Sequence, residues 1–345
     1  MKAALFHEYG GPEVLKYEDV DPLPVGRSDV LIKVRATSVN WFDIIGRKGD
    51  YRPNARFPHI PGGDIAGEVA EIGSEVTNVK VGDPVVVYAT VGCGHCESCR
   101  RGEPNVCLNY KYYGSALWGG YAQYATVRSQ NVLPLYKGLD FAECAATNIT
   151  FLTAWHKLAR ANIRAGEDIL IHAVGSGIGL AALQIAKLHG LRVFGTASSD
   201  EKCEKGLELG ADYMINYKKQ NFREEIRRLT GKRGVDVVFE HIGADVWEDS
   251  VMSLTRFGRL VTCGASSGYR VSMNAAHIWH KQLSIIGSNH GTMNELATIV
   301  KLLEAKKLRP VIGAKLPLKD AAEAHRLAEG RSIFGKIVLE PEHLN

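Results

Sequence analysis

The chain has 345 residues, which at roughly 100–200 residues per domain is room for about two domains. Apolar residues make up 45% and charged residues 23%, the balance of an ordinary globular protein, and this excludes a disordered chain. Lys and Arg (42) barely exceed Asp and Glu (38) and form no long basic block, so no nucleic-acid or membrane surface is expected. The N-terminus reaches His7 and Glu8 too early for the apolar core of a secretory leader, and no run approaches the ~20 apolar residues of a membrane span. The expectation is a soluble, cytoplasmic protein.

In chain order, residues 1 to about 131 read as short strands cut by Gly and Pro. Val30, Ile32, Val34 and Ala36 alternate with Leu31, Lys33 and Arg35, the pattern of a half-buried strand. Val85-Val86-Val87 follows the turn signal Gly82-Asp83-Pro84. Next comes a cysteine cluster, Cys93-x2-Cys96-x2-Cys99-x7-Cys107, holding four of the seven cysteines. Seven cysteines in so long a chain do not suggest a disulfide scaffold. Four thiolates at this spacing, with Gly92, Gly94 and Gly102 to bend the chain, instead suit one tetrahedral Zn²⁺. A closed shell of four cysteines leaves the metal no open position, so such a zinc braces a loop and performs no chemistry. His95 falls between these ligands and reads as part of the loop.

From about residue 165 the rhythm becomes strand then helix. Strands are predicted at 169–174, 192–197, 213–215, 235–240, 259–263 and 283–286, and helices at 178–188, 200–209 and 222–229, among others. Such alternation predicts a mostly parallel sheet covered by helices on both faces. The segment after about residue 289 begins helix-like and ends in a strand-like run at 336–339.

The first strand of this region runs into Gly175-Ser176-Gly177-Ile178-Gly179 and then a helix. Glycines let the backbone approach a diphosphate, and the first-turn N–H groups and helix dipole face the anion. The spacing is tighter than G-x-G-x-x-G, so an ordinary strand-to-helix turn is the competing interpretation. At the end of the second strand stands Ala197, where an NAD site usually has an acidic residue, followed by Ser198, Ser199, Asp200 and Lys202. Small hydroxyls and a cation suit a ribose 2′-phosphate, and hence NADP(H) over NAD(H). Asp200 keeps the ribose hydroxyl open as a partner, and Ser198, Ser199 and Asp200 also suit a helix cap.

On these motifs, together with the glycine-rich 61–69 and the closing Phe334-Gly335-Lys336-Ile337-Val338, the chain resembles the medium-chain dehydrogenase/reductase superfamily: the zinc alcohol dehydrogenases and their quinone reductase relatives. The resemblance spans essentially the whole length. It implies an α/β fold, with a GroES-like, mostly β catalytic domain (1–150), a Rossmann-fold dinucleotide domain (151–289), and a return to the catalytic domain (290–345). It further implies homodimers or homotetramers, often joined through the edges of their Rossmann sheets. Besides Gly175, Ser176, Gly177, Ile178, Ser198, Ser199 and Lys202, it implies cofactor contacts at Thr153, Tyr217 (near the adenine), His241, Ile242 and Lys336.

Alcohol dehydrogenases of this superfamily hold a catalytic zinc with a Cys, a His and a third soft or acidic ligand. The corresponding positions here are Asn40, Gly63 and, near residue 148, Asn148-Ile149, none a soft ligand. His59, Asp43 and Asp64 remain as material for a different metal site. Asn40 with Asp43, then Gly49-Asp50-Tyr51, is similar to the zinc-free quinone oxidoreductases and enoyl-thioester reductases, as Phe239-Glu240-His241-Ile242-Gly243 is to enoyl-CoA reductases. In that branch the equivalent Asn and Tyr lie beside the nicotinamide, and the Tyr can supply a proton. Packing of Tyr51 in a loop, or Asn40 simply tying a turn, are the structural alternatives. The first expectation is therefore NADPH-dependent hydride transfer to a quinone, enone or enoyl thioester, with Asn40, Tyr51 and Asp43 at the acceptor and one structural zinc. Alternatives are a zinc alcohol dehydrogenase with an atypical catalytic site, and a non-enzymatic NADPH-binding regulator.

Overall fold

Strict alternation places Val30, Ile32, Val34 and Ala36 on the buried face of the strand Asp29–Ser38 in the computed structural model, which describes residues 1–50, 55–136 and 138–343. This strand is the spine of the first of two units, Met1–Ile149 with Thr292–Asn345. It pairs antiparallel with Ala66–Ile72, Tyr124–Arg128 and Lys336–Glu340. The sheet continues through Pro84–Val87 to Val132–Pro134 on one side and through Lys336–Glu340 to Ile312–Pro317 on the other. Gly67 explains one glycine of the 61–69 run. A Cβ there would fall 2.1 Å from the Lys33 carbonyl oxygen on the neighbouring strand, so only glycine permits that approach.

One core of this unit gathers Val30, Ile32, Val34, Ile65, Val69, Val85, Val87 and Val127. A second gathers Phe6, Ile44, Tyr121, Ile337 and Leu339. Beside it lies Arg47, with no exposed surface. Its guanidinium donates to Gly10 O (3.1 Å), Glu329 Oε1 (2.6 Å) and His325 Nδ1 (3.3 Å). Because Arg47 can only donate, His325 Nδ1 accepts, and Nε2–H points at the Tyr121 hydroxyl, 3.1 Å away. Burial and the neighbouring Arg47 charge push the His325 pKa down to about 3.

The second unit, Thr150–Gly291, is built on six parallel strands. Asp168–Ile171 lies inside the sheet, with Arg192–Ala197 and then Tyr213–Asn216 on one side; Val235–Glu240, Leu254–Thr262 and Ser284–Gly287 follow in turn on the other. Every residue of Asp168–Ile171 is buried, as a strand covered on both faces requires. The helices Gly177–Leu188, Asp200–Glu208 and Phe222–Leu229 alternate with these strands.

Three elements differ from expectation. The strand predicted at 169–174 ends at Ile171, because Ala173 takes φ +46° and turns the chain. The strand predicted at 259–263 begins earlier and spans Leu254–Thr262. The helix Phe141–Arg160 has no counterpart among the predicted elements. Ala142, Cys144–Ala146, Phe151, Leu152, Ala154 and Leu158 are all buried, so it shows no clean apolar stripe from which a helical period is read. Among the described residues, no helix is long and apolar enough to cross a membrane.

His325 yields a pH prediction. A base whose folded-state pKa is depressed stabilises the fold above its unfolded pKa, and that contribution drains away as pH falls from about 6.5 toward 3. Thermal melts of wild type and His325→Gln should therefore show a gap that is widest at neutral pH and narrows by at most about 3 kcal/mol by pH 4, a tenfold change in proton affinity being worth ~1.4 kcal/mol. A gap constant across that range contradicts the assignment.

Candidate functional site

Pairing of the C-terminal strand with the spine strand builds the polar centre of the first unit. Val338 sits opposite Ser38, and Val39 N–H donates to Ile337 O at 2.9 Å. This register carries the Lys336 ammonium to Val39 O and Asn40 Oδ1, each 2.7 Å away, and to Asp64 Oδ2 at 3.5 Å. Asn40 Nδ2 donates to the same Asp64 oxygen at 2.7 Å, as does the Ser38 hydroxyl. The other Asp64 oxygen accepts the backbone N–H of Ile149 at 2.9 Å. Lys336, Asp64, Asn40 and Ser38 are all buried. Burial lowers the Lys336 pKa, which the Asp64 and Asp43 charges oppose.

Asn40 also precedes the helix Trp41–Lys48, where its backbone N–H donates to Asp43 Oδ2 at 2.8 Å. The other Asp43 oxygen accepts Gly62 N–H at 3.2 Å. Burial foremost, with the nearby Asp64 charge, lifts the Asp43 pKa to about 7, against the pull of these hydrogen bonds. The structure thus brings Asn40 and Asp43 together. The Asn40 amide is engaged at both ends, by Asp64 and by Lys336. Lys336, expected at the cofactor, has its three N–H bonds committed to this network. Tyr51 lies outside the described residues.

Gly63, the position of the zinc-ligating histidine in alcohol dehydrogenases, is packed over. A Cβ there would lie 2.7 Å from Ile149 Cδ1 and 2.9 Å from the Tyr112 ring. His59 is buried against Phe6 (ring centroids 5.4 Å), and its Nε2 has no hydrogen-bond partner among the described residues. Among the described residues, His59, Asp43 and Asp64 do not converge as a metal site; the only such group is Cys93, Cys96, Cys99 and Cys107. Their four sulfurs lie within 4.8 Å of one another. Tetrahedral Zn²⁺ with Zn–S bonds of about 2.3 Å spaces its sulfurs ~3.8 Å apart, so the donor set fits the ion. Cys99 N–H points at Cys96 Sγ and Cys93 N–H at Cys107 Sγ, both at 3.5 Å, the pattern of backbone donors around thiolates. His95 bonds the Cys93 carbonyl (2.9 Å), holding the loop.

In the second unit, Ser176 caps the helix Gly177–Leu188. Its hydroxyl accepts Gly179 N–H at 3.1 Å and donates to Ala173 O at 2.8 Å. A Cβ on Gly179 would fall 2.4 Å from that same carbonyl, so glycine permits the close strand–helix contact. First-turn N–H groups have no intrahelical partner; the cap takes that of Gly179, and those of Gly177 and Ile178 belong to the same helix N-terminus, which favours an anion. The next strand ends at buried Ala197, beside which Tyr217 N–H pairs with Ala197 O (3.1 Å) while its ring is 43% exposed. Ser199 caps the following helix through Lys202 N–H (3.3 Å), and Ser198 and Lys202 are half-buried nearby in the chain. Asp200 is drawn aside by Asn216 Nδ2 (2.7 Å) and the Lys219 ammonium, which together hold its carboxyl below the usual range. Thr153 is half-buried on the helix Phe141–Arg160.

His241 and Ile242 follow the strand Val235–Glu240. Both ring nitrogens of His241 are out of reach of solvent and, among the described residues, without a partner, and burial pushes its pKa well down. A buried polar group left unpaired costs about 1–3 kcal/mol, and the carboxyl ends of parallel strands are where open α/β sheets bind ligands. The unpaired imidazole therefore fits a nucleotide cofactor that supplies its partner.

Comparison with known proteins agrees with this architecture. A zinc-binding dehydrogenase family model matches residues 177–305, and an alcohol dehydrogenase GroES-like domain model matches 26–137. The chain is 35% identical to quinone oxidoreductase of Mus musculus, over 98% of this chain and 97% of the relative. Among solved structures it is similar to an NAD-dependent alcohol dehydrogenase (41% identity, TM-score 0.94, 99% of each chain). It is also similar to a crotonyl-CoA carboxylase/reductase (25% identity, TM-score 0.91, 99% of this chain and 88% of that one).

The packing at Gly63 is directly testable. Gly63→Ala should lower stability by about 1–3 kcal/mol, the usual cost of overpacking, and Ile149→Val in the same chain should recover part of it. Thermal melts of the two variants and the wild type measure this, and additive losses exclude the contact.

Proposed function

The chain belongs to the medium-chain dehydrogenase/reductase superfamily and is an NAD(P)H-dependent oxidoreductase, and within that class we propose that it reduces a quinone, enone or enoyl thioester C=C with NADPH and without a catalytic zinc. The observation that carries this reading is the set of residues where alcohol dehydrogenases place their zinc ligands. Asn40 is tied to Lys336 and Asp64, Gly63 is packed against Ile149 and Tyr112, and Ile149 offers only its backbone N–H, to Asp64. A Lewis acid helps an alcohol lose its proton as hydride leaves, whereas a conjugated acceptor needs orientation and stabilisation of the enolate.

NADPH, when bound, supplies the hydride. The chain's own residues bind and orient. The Gly177 and Ile178 N–H groups and the helix dipole receive the diphosphate, while Ser198, Ser199 and Lys202 suit the 2′-phosphate. Asp200, held by Asn216 and Lys219, is kept from a competing role at a ribose hydroxyl. Thr153, Tyr217, His241 and Ile242 complete the cofactor contacts of this reading. In the first unit, the network of Lys336, Asp64, Asn40 and Asp43 acts as a rigid floor, and Tyr51 is the proton donor. Ser284–Gly287 is an edge strand with Ile285 37% exposed, and pairing of two such edges makes the oligomer of this reading a homodimer or a dimer of dimers.

Alcohol oxidation with NAD is the second reading, favoured by the 41% identity to an NAD-dependent alcohol dehydrogenase. Steady-state assays separate the two. NADPH should support reduction of quinones or enones with kcat/KM at least ~10-fold above NADH, and Tyr51→Phe should lower kcat with little change in NADPH affinity, as loss of a transition-state interaction does. Simple alcohols with NADP⁺ should give negligible turnover with or without added zinc. Robust alcohol oxidation, or quinone and enone reduction undiminished in Tyr51→Phe, rejects the proposal.

The metal content is tested separately. Protein purified without added metal should carry about one zinc per chain, as a single closed shell of four cysteines requires. Cys99→Ser should lose that zinc and melt at a lower temperature, while the kcat of the surviving folded enzyme stays within about threefold, since a closed shell takes no part in chemistry. Two zincs per chain, one removed together with activity by mild chelation, point to the alcohol dehydrogenase reading.

A further inference from the structure

Glu240 ends the strand Val235–Glu240 and is fully buried, yet the proposed chemistry assigns it no part. Both oxygens of its carboxylate are hydrogen-bonded. One oxygen accepts the backbone N–H groups of both Ile242 and Gly243 at 2.6 Å, and the other accepts the Thr262 hydroxyl at 2.9 Å. These bonds bracket His241, whose two ring nitrogens are buried without partners among the described residues. They also clamp the carboxyl ends of two adjacent strands, the edge at which open α/β sheets hold their ligands.

The surroundings are built to keep that anion in place. The Lys157 ammonium lies 3.5 Å over the centre of the Phe239 ring and donates to the Glu240 backbone carbonyl, which brings a positive charge beside the buried carboxylate. The 241–243 turn is further seated on the following loop. Ser267 gives both its N–H (2.7 Å) and its hydroxyl (2.8 Å) to Ile242 O. Gly243 sits at φ +94°, and a Cβ there would meet Gly268 O at 2.5 Å, so the backbone has one way to pass.

We propose that Glu240 is a positioning residue: by capturing the N–H groups of Ile242 and Gly243 it sets the backbone of the 241–243 turn and so presents the His241 imidazole to the nicotinamide cofactor. The proposal rests on the reading of His241 as a cofactor contact. Burying a carboxylate costs several kcal/mol, which the three hydrogen bonds to its two oxygens offset here. An apolar side chain there would leave both N–H groups and the Thr262 hydroxyl without their acceptor. Because the carboxylate on residue 240 captures the N–H groups of residues 242 and 243, it closes a turn over His241 and fixes the direction of that residue.

The geometry rather than the charge carries the effect, and this separates the variants. Gln at 240 can accept both N–H groups with its carbonyl oxygen and donate its amide to the Thr262 hydroxyl, whereas Ala can do neither. NADPH dissociation constants, read by nicotinamide fluorescence on the full-length protein, are measured for wild type, His241→Ala, Glu240→Ala, Glu240→Gln and Glu240→Ala/His241→Ala, with melting temperatures alongside. His241→Ala and Glu240→Ala should each weaken NADPH about tenfold (~1.4 kcal/mol), the double variant should be no weaker than either, and Glu240→Gln should stay within about threefold of wild type. Thr262→Val, which removes only the third hydrogen bond, keeps the test available should Glu240→Ala not fold. It should weaken NADPH a few-fold in the wild type and not at all beside His241→Ala. Additive losses in the double variant, or Glu240→Gln as damaging as Glu240→Ala, overturn the positioning role. Unchanged affinity in His241→Ala instead overturns the reading of His241 itself.

Discussion

A buried lysine ammonium facing a buried aspartate organises the first unit. Lys336 and Asp64 lie 272 positions apart in the chain, and they gather groups from three further pieces of structure. These are Ser38 at the end of the spine strand, Asn40 at the start of the helix Trp41–Lys48, and Ile149 on the helix Phe141–Arg160. Either charge left alone in that interior would cost several kcal/mol, so neither can be dislodged without the other, and every segment that contributes a hydrogen bond is held in register. The same network engages both ends of the Asn40 amide.

Around this pair, the space above Gly63 is closed by carbon. Ile149 and the Tyr112 ring stand where a side chain at 63 would go, and Ile149 contributes a backbone N–H to Asp64 in place of a ligand. Asp43, with a pKa near neutrality, sits against the same network and ties the helix start to Gly62. Hydrogen-bond saturation and hydrophobic packing thus act together: groups that a metal site would leave pointing inward are here paired with protein.

The second unit follows the opposite rule at one end of its sheet. At the carboxyl ends of the parallel strands lie the first turn of the helix Gly177–Leu188 and the His241 ring, whose two nitrogens have no hydrogen-bond partner among the described residues. Yet the backbone that carries them is firmly held, by the Ser176 cap, by the strand–helix contact at Gly179, and by the Glu240 carboxylate. Rigid backbone presenting unpaired polar groups is the arrangement a polar ligand completes. The cysteine lobe presents a third solution, in which four sulfurs gathered within 4.8 Å take the place of a hydrophobic core in a loop too small to have one.

What the amino-acid sequence determined by itself was whatever is local. Period-two alternation marks the spine strand, apolar runs spaced by helices mark the parallel sheet, and the glycine turn and the cysteine spacing each concentrate their chemistry within fifteen residues. Those signals reach the fold class and the family because such motifs are closed by near neighbours in the chain. Tertiary structure alone decided the partners of the long-range polar groups: Lys336 with Asp64 and Asn40, His325 with Arg47 and Tyr121, and Asp200 with Asn216 and Lys219. It also decided the helix Phe141–Arg160, whose nearly all-round burial erases the period that would reveal it. A side chain's chemistry is written in its residue type, but whether its hydrogen bonds face a ligand or another part of the protein depends on which distant segment folds against it.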